Sequence, residues 1–210
     1  MKRTLLAGLA ILLFGSVAMA GTVLATGAGW CESIGECNNI SILGINNTFA
    51  GEEGADYQDW FAFTLPNTAI TSASISIWND SQNYTENASA LYNLYEAASI
   101  TYGGINSGAI LGSISASAAD TGVSQYITIN LNAAGLADLN ANLGGQIILG
   151  GAVTGVSFGD PEVDFFGYTD GTPAAYLNIN ATTTPEPGSA MLLGMGLLGL
   201  AGMVRRKLGV

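Results

Sequence analysis

Histidine is absent from this sequence of 210 residues, and the basic residues are confined to its two ends. The stretch from Gly21 to Thr184 has no Lys or Arg, yet it holds 15 of the 16 acidic residues, all except Glu186, and so a net charge of about −15. Without His, imidazole activation of a Ser or Cys nucleophile and His-ligated zinc or iron sites are excluded. Without cations, this stretch cannot neutralise phosphates, which excludes nucleic acid as a direct partner.

The missing cations also limit how the stretch folds and what it catalyses. No ion pair can form within it, so its fold must rest on apolar burial and hydrogen bonds. A glycosidase would need two carboxyl groups about 5 or 9 Å apart in a cleft. Nothing in the sequence singles out two of the 15 acidic residues for that role. We therefore expect a protein that is not an enzyme and requires no cofactor, with hydrolase activity as a minor hypothesis.

Cysteine is scarce, and the two residues present, Cys31 and Cys37, lie close together in WCESIGECNN. In an exported protein such a pair predicts a disulfide that closes a small loop. A thiol redox site would usually have the tighter C-x-x-C spacing, and two cysteines are too few for a metal site.

The N-terminus has the three parts of a secretory signal peptide. Lys2 and Arg3 are followed by an apolar core from Leu5 to Val17 and by the small-x-small sequence Ala18-Met19-Ala20. The apolar core is too short to span a bilayer stably. We predict that residues 1–20 form a signal helix, which signal peptidase removes after Ala20, and that the rest is exported.

Alternation with period two predicts strands in the exported domain, residues 21–177. In TSASISI, Ala73, Ile75 and Ile77 share one face and the serines share the other, and QYITINL and WFAFTL alternate likewise. Further candidate strands are Ile40–Phe49, Leu91–Thr101, Ala109–Ser115, Gln146–Gly150, Val163–Tyr168 and Ala175–Ile179. Eight or nine short strands predict a mainly β fold, an antiparallel β-sandwich of jelly-roll type.

One stretch, NAAGLADLNANLGG, has helical spacing instead. Leu136, Leu139 and Leu143 recur on one helical face, Asn132 is a suitable N-cap, and Gly144-Gly145 would end the helix. This predicts one short helix of about three turns. The segment SALYNLYEAAS fits both periods, and its aromatic residues favour a strand. The sequence NINATTT, residues 178–184, is interpreted as a polar linker.

The C-terminus, residues 185–210, has three elements in series: Pro185-Glu186-Pro187, an uncharged run, and a basic end, Arg205-Arg206-Lys207. The run 188–204 would reach about 25 Å as a helix, which predicts a short transmembrane helix with its basic end in the cytoplasm. Together these elements resemble the PEP-CTERM sorting signal of Gram-negative bacteria. The resemblance implies recognition and processing by an exosortase, an integral-membrane transpeptidase.

The middle of the chain is similar to uncharacterised exported β-sandwich domains that precede this signal. The similarity lies in DWFAFTL, ITSASISIW, ITINLNAAGLADLNANLGGQIILGG and DFFGYTDG. A similar fold alone does not show what the domain does.

Two acidic clusters are candidate sites for calcium, which takes six to eight oxygen ligands. A domain without basic residues has a strong electrostatic reason to bind a cation, although neither cluster has EF-hand spacing. The alternative is that both are solvated loops. The candidate ligands are Glu52, Glu53, Asp56 and Asp59 in the first cluster and Asp160, Glu162 and Asp164 in the second.

Trp60 and Trp78 are candidate ligand-binding residues, since a flat aromatic surface among Asn and Asp side chains suits sugars. Trp78 shares the outward alternation of Ser72, Ser74 and Ser76. The alternative is that both tryptophans pack at the ends of the sandwich.

The expected function follows from the two terminal signals and the cation-free domain. We expect an inner-membrane precursor and a mature protein at the cell surface or outside the cell, with a structural or adhesive role in a polysaccharide-rich matrix or biofilm. The alternative is a matrix lectin resembling a carbohydrate-binding module, with exopolysaccharide as its partner.

Calcium binding is testable by thermal unfolding with excess Ca²⁺ and with EDTA. If the acidic clusters bind calcium, EDTA lowers the melting temperature, because a ligand that binds only the folded state stabilises it. Mg²⁺ serves as the control for general charge screening. Equal melting temperatures in EDTA and Ca²⁺ would mean solvated acidic loops.

Overall fold

The computed structural model describes residues 17–40, 45–52, 55–80, 90–115, 124–155, 163–170, 172–183, 194–197 and 200. These residues form twelve strands, one α-helix and a short helical segment at 194–197. The strands are β1 (Val17–Leu24), β2 (Gly27–Glu32), β3 (Cys37–Ile40), β4 (Ile45–Glu52), β5 (Asp56–Thr64), β6 (Ile70–Asn79), β7 (Leu91–Glu96), β8 (Ile110–Ser115), β9 (Gln125–Asn130), β10 (Gln146–Thr154), β11 (Val163–Asp170) and β12 (Ala175–Thr183), and the helix is α1 (Ala133–Ala141).

The strands form two antiparallel sheets. Sheet I has four strands in the order β1-β12-β6-β9. Sheet II has eight strands, with the path β11-β4-β5-β10-β7-β8 and the hairpin β2-β3 attached to β5. The chain also divides into two compact units, Ala20–Ala181 and a second unit of Met1–Met19 with Thr182–Val210.

Both sheets contribute to one apolar core. Sheet I supplies Ile75, Ile77 and Leu177, and sheet II supplies Phe61 and Phe63, all with no solvent exposure. The alternation in TSASISI and WFAFTL therefore points its apolar residues into the core, as predicted. Two sheets that share one core form a β-sandwich. The prediction of a mainly β fold with antiparallel sheets and one short helix is confirmed.

Helix α1 follows its sequence signals closely. The side chain of Asn132 accepts a hydrogen bond of 3.0 Å from the backbone N–H of Gly135, and Leu139 is fully buried. The side chain of Asn140 accepts from the N–H of Ile70 and donates to its carbonyl oxygen, each at 2.9 Å. This pair of bonds anchors the helix to the first residue of β6.

The predicted disulfide is confirmed. Cys31 and Cys37 face each other across the β2-β3 hairpin, with an S–S distance of 2.06 Å. Gly35 makes the turn between them with φ of 103°, a conformation that glycine adopts without steric cost. Both strands of this hairpin lack an alternating pattern, which is why strand β2 was not predicted.

Several predicted boundaries are wrong. Of the candidate strand Ile40–Phe49, residues 41–44 lie outside the described residues, Ile40 belongs to β3, and β4 continues past Phe49 to Glu52. The candidate Leu91–Thr101 is a strand only to Glu96, after which the chain turns. Within the predicted signal helix, the described residues 17–20 belong to strand β1.

The predicted polar linker 178–184 is also wrong over its described residues. Asn178 pairs with Ser74, Ile179 with Ala73 and Asn180 with Ser72, so the segment is part of β12. Its alternation of Asn and Ile is a strand pattern with one polar face. The segment was interpreted as a linker because of its many polar residues.

The predicted membrane span 188–204 lies mostly outside the described residues. Residues 194–197 are helical. In the part of the chain that the structure describes, no helix is long and apolar enough to cross a membrane.

Leucine truncations on β7 test the shared core. Leu94 is fully buried and Leu91 on the same strand is 37% exposed. We expect Leu94→Ala to lower the free energy of unfolding by about 2–5 kcal/mol, because it leaves a cavity. The matched control Leu91→Ala should cost less than about 1 kcal/mol. Urea unfolding of both variants measures the difference, and equal losses would contradict this placement of the core.

Candidate functional site

The outer face of sheet I carries the most organised set of polar and aromatic side chains in the described structure. On β6, Ile75 and Ile77 are buried in the core. On the opposite side of the strand, Ser72 is exposed, Ser74 and Trp78 are half-buried, and Ser76 is only 1% exposed. Trp78 lies on the serine side, as the alternation predicts.

Three aromatic rings cluster at one end of this face. Trp78 pairs across the sheet with Tyr126, and their rings meet edge to face at 5.1 Å. Tyr126 in turn contacts Tyr176 at 4.7 Å. The hydroxyl of Tyr126 donates to the carbonyl oxygen of Pro173 at 2.9 Å, which holds the central ring in place. We call Trp78, Tyr126 and Tyr176 the aromatic trio.

Partial burial, and then the neighbouring Tyr176, raises the pKa of the Tyr126 hydroxyl. The Tyr126 ring therefore stays uncharged at neutral pH and is suited to stacking and hydrogen bonding.

Amide and hydroxyl groups cover the rest of the face. Hydrogen bonds link Ser76 to Thr128 at 2.8 Å, Asn178 to Ser76 at 3.1 Å and Asn180 to Ser72 at 2.7 Å. These bonds join β9, β6 and β12 side by side, with Thr128 and Asn180 exposed and Ser76 buried among its neighbours. We call this set the polar ladder.

A shallow depression of about 300 Å³ lies at the end of the ladder away from the trio. Strands β1, β6, β9 and β12 all contribute to it. Its lining residues are Ala20, Gly21, Thr22, Ser72, Ala73, Ser74, Asn130, Asn178, Ile179 and Asn180. The polar faces of β6 and β9 were predicted separately from the sequence, but their joining with β12 into one surface depends on strand pairing.

Trp60, the second candidate ligand residue, is not on a surface. It is 2% exposed and packs with Cys31, Ala62 and Ile105 on the side of sheet II that faces away from the main core. Its indole ring cannot serve as a sugar platform, and the packing alternative is the correct one for Trp60. The neighbouring alternation on β5 sends Phe61 and Phe63 inward and Trp60 to the opposite face.

The two acidic clusters are close in the sheet register. Glu52 pairs with Asp56 on one side and with Val163 on the other, and Asp164 pairs with Gly51. The positions of Glu53, Asp160 and Glu162, and the side chains of Glu52 and Asp164, lie outside the described residues. Among the described residues, no group of three His, Cys, Asp or Glu side chains is placed to hold a metal ion.

Of the candidate calcium ligands, two have described side chains, and only one of these is accessible to solvent. Asp56 is exposed and accepts a hydrogen bond of 3.2 Å from the hydroxyl of Tyr102. Asp59 is fully buried, and Tyr92 donates to its carboxyl oxygen at 2.8 Å. Asp59 therefore does not belong to a solvent-facing cluster.

The buried carboxyl of Asp59 has unusual electrostatics. Desolvation raises its pKa to about 8, against the opposing effect of the hydrogen bonds from Tyr92 and from the backbone of Asp59 and Gly151. Gly151 is directly opposite Asp59 in the register, and a Cβ there would collide with the Tyr92 hydroxyl and the Asp59 carboxyl. Glycine at this position makes room for the pair.

A second depression, of about 200 Å³, lies on sheet II. It is lined by Gly51, Asp56, Tyr57, Gln58, Tyr102, Asn106, Ala152 and Val153. Gln58 accepts a hydrogen bond of 2.9 Å from the N–H of Gly103, which holds the loop after β7 against the sheet.

The residues that follow β12 match a known sorting motif. The PEP-CTERM protein-sorting motif matches residues 183–207. The chain carries a PEP-CTERM sorting signal. The resemblance of the C-terminus is thus confirmed, and the PEP-CTERM motif marks an exported protein with a membrane-anchored precursor in the cell envelope, which an exosortase processes. Its candidate residues Pro185, Glu186, Pro187, Arg205, Arg206 and Lys207 lie outside the described residues.

The PEP-CTERM motif begins where the described sheet ends. Strand β12 runs to Thr183, and the motif match begins at that residue.

No curated protein sequence matches the chain significantly. Among solved structures, it is similar to a mutant of Xylanase10C from Cellvibrio japonicus in complex with xylopentaose, at 13% identity and a TM-score of 0.33, over 76% of this chain and 27% of that one. It is also similar to the cleaved adhesin domain of Lys-gingipain from Porphyromonas gingivalis, at 13% identity and a TM-score of 0.27, over 81% and 99%. The chain thus spans about a quarter of the xylanase, and likenesses at these scores carry no functional argument.

Asp59 predicts a specific dependence of stability on pH. Its folded-state pKa of about 8 lies above its ordinary 3.8, so the folded protein retains a proton that the unfolded chain releases. The stabilisation is complete below about pH 4 and is lost as the pH rises to about 8, by at most about 1.4 kcal/mol per pH unit. We expect Asp59→Asn to remove this fall, and Asp56→Asn, on the same strand but exposed, to keep it. Urea unfolding between pH 4 and 9 measures the slope, and an unchanged slope in Asp59→Asn would contradict the prediction.

Proposed function

We propose that the chain is an exported, non-catalytic protein of the cell surface or extracellular matrix with a structural or adhesive role in a polysaccharide-rich matrix. The observation that carries the proposal is the PEP-CTERM motif, which directly follows the last strand of a domain with no basic residue. An exosortase delivers the protein, after signal peptidase removes residues 1–20. The scaffold is a β-sandwich of jelly-roll type.

The stabilising features of the domain support a structural role. Its two sheets share one core, and a disulfide closes the β2-β3 hairpin, as suits a protein that works outside the cell. With no Lys, Arg or His between Gly21 and Thr184, its stability owes nothing to ion pairs within that stretch. Salt therefore cannot weaken the fold by screening ion pairs there, and it reduces the repulsion among the carboxylates.

Mass spectrometry of the mature protein tests the sorting route. We expect the surface-located protein to begin at Gly21 and to lack the C-terminal residues beyond the Pro185-Glu186-Pro187 step. A variant with all three of these residues replaced by Ala should keep Val210 and remain in the inner membrane, because the exosortase no longer recognises it. Wild-type protein at the surface with Val210 still attached would rule out the sorting route.

A matrix lectin is the second candidate function. The specific observation in its favour is the aromatic trio beside the polar ladder on sheet I, since half-buried rings next to amides and hydroxyls suit sugar rings and their hydroxyl groups. Adhesion to the matrix would then be binding to its polysaccharide.

A further inference from the structure

Sheet I is free of charge although its domain is highly acidic. Its four strands, Val17–Leu24, Ile70–Asn79, Gln125–Asn130 and Ala175–Thr183, contain no Asp, Glu, Lys or Arg. The 15 acidic residues between Gly21 and Thr184 all lie elsewhere. The domain has a net charge of about −15, yet none of the strands of sheet I carries an acidic residue. The charge is therefore confined to the rest of the domain, and the outer face of sheet I is neutral.

The neutral face has two parts along the strand direction. The aromatic trio lies at the Trp78 end of β6, and the depression lies at the Ser72 end. Tyr176 of the trio and Asn178 of the depression are two positions apart on β12, roughly 7 Å, whereas Trp78 and Ser72 at the outer ends are six positions apart, roughly 20 Å. A ligand that contacts both outer ends must therefore be extended, as a chain of several sugar units is.

The polar groups on this face are held in place before any ligand arrives. The amide nitrogens of Asn178 and Asn180 donate to serine hydroxyls on β6, and the hydroxyl of Tyr126 is bonded to Pro173. Such anchoring lowers the entropy cost of binding. Side-chain amides both donate and accept hydrogen bonds, which matches sugar hydroxyls, because these also do both.

We propose that the outer face of sheet I binds a neutral, extended, β-1,4-linked polysaccharide, with a sugar ring stacked on the aromatic trio and the chain running along the strands to Asn130, Asn178 and Asn180. The proposal rests on the lectin function above and names its ligand class. A flat, extended chain fits a flat sheet face with polar groups at every second residue.

Charge excludes the acidic polysaccharides. Uronate or sulfate groups would approach a domain with about 15 negative charges and no basic side chain between Gly21 and Thr184. Even with cleavage after Ala20, the amino group at Gly21 adds a single positive charge. We therefore expect discrimination between neutral and acidic chains of equal length.

Calorimetric titration of the matured protein tests the proposal. Cleavage after Ala20 removes Val17–Ala20 of β1 and leaves Gly21 and Thr22 as the part of that strand that lines the depression. The protein therefore carries no N-terminal tag, which would lie at Gly21. The probes are cellohexaose, mannohexaose and the acidic chain hexagalacturonate. We expect binding of at least one neutral probe, no binding of hexagalacturonate, and about tenfold weaker binding in Trp78→Ala and in Asn180→Ala.

Two further variants keep the test clear if Trp78→Ala fails to fold. Asn180 is exposed, so Asn180→Ala should retain the wild-type melting temperature. Trp78→Phe keeps a ring and should bind within about threefold of wild type, while losing the fluorescence change that sugar causes at Trp78. Tyr102→Ala is the matched control, since Tyr102 is an exposed aromatic residue beside the depression on sheet II.

Each outcome decides between the site and the function. If Tyr102→Ala abolishes binding while Trp78→Ala and Asn180→Ala bind as the wild type does, the sheet I site is wrong. The lectin function would then stand, with its site on sheet II. Binding of hexagalacturonate as tight as that of the neutral probes overturns the ligand class. If neither neutral probe binds the wild-type protein, both the site and the lectin function are overturned. The sorting proposal is not affected, because the mass of the mature chain tests it separately.

Discussion

The absence of cations from Gly21 to Thr184 is the constraint on which the rest of the domain depends. The ionised carboxylates of this stretch repel one another and have no basic partner within it, so their repulsion must be balanced by apolar burial and by the hydrogen bonds of two sheets. The shared core of Phe61, Phe63, Ile75, Ile77 and Leu177 provides that burial. The disulfide across β2 and β3 adds a covalent constraint that charge does not affect.

The same constraint decides where carboxyl groups can lie. Asp59 is inside the core, where burial raises its pKa to about 8 and so favours the uncharged carboxyl at neutral pH, and one of its oxygens accepts a hydrogen bond from Tyr92. The described strands of sheet I contain none at all. Segregating charge in this way leaves the four strands of sheet I without a charged side chain.

The candidate site was partly predictable. The alternation of serines and Trp78 on β6 is a local pattern, and it predicted one row of the site. Tyr126, Tyr176, Asn178 and Asn180 were missed as a group because three separate strands contribute them, and only the register of β9 and β12 against β6 joins them. Trp60 was misjudged for a related reason. Its strand has aromatic residues on both faces, and both faces are covered.

Features that depend on neighbours along the chain were determined by the sequence alone. The sorting motif, the disulfide, the Asn132 cap and the two-faced strands all follow from residues within a few positions of one another, where spacing sets the chemistry. The tertiary structure decided what depends on pairing at long range: the absorption of Asn178–Thr183 into β12, the burial of Asp59 and Trp60, and the neutral face assembled from four strands. A shift of one residue in a strand's register would turn its outward side chains inward, and no local pattern specifies that register.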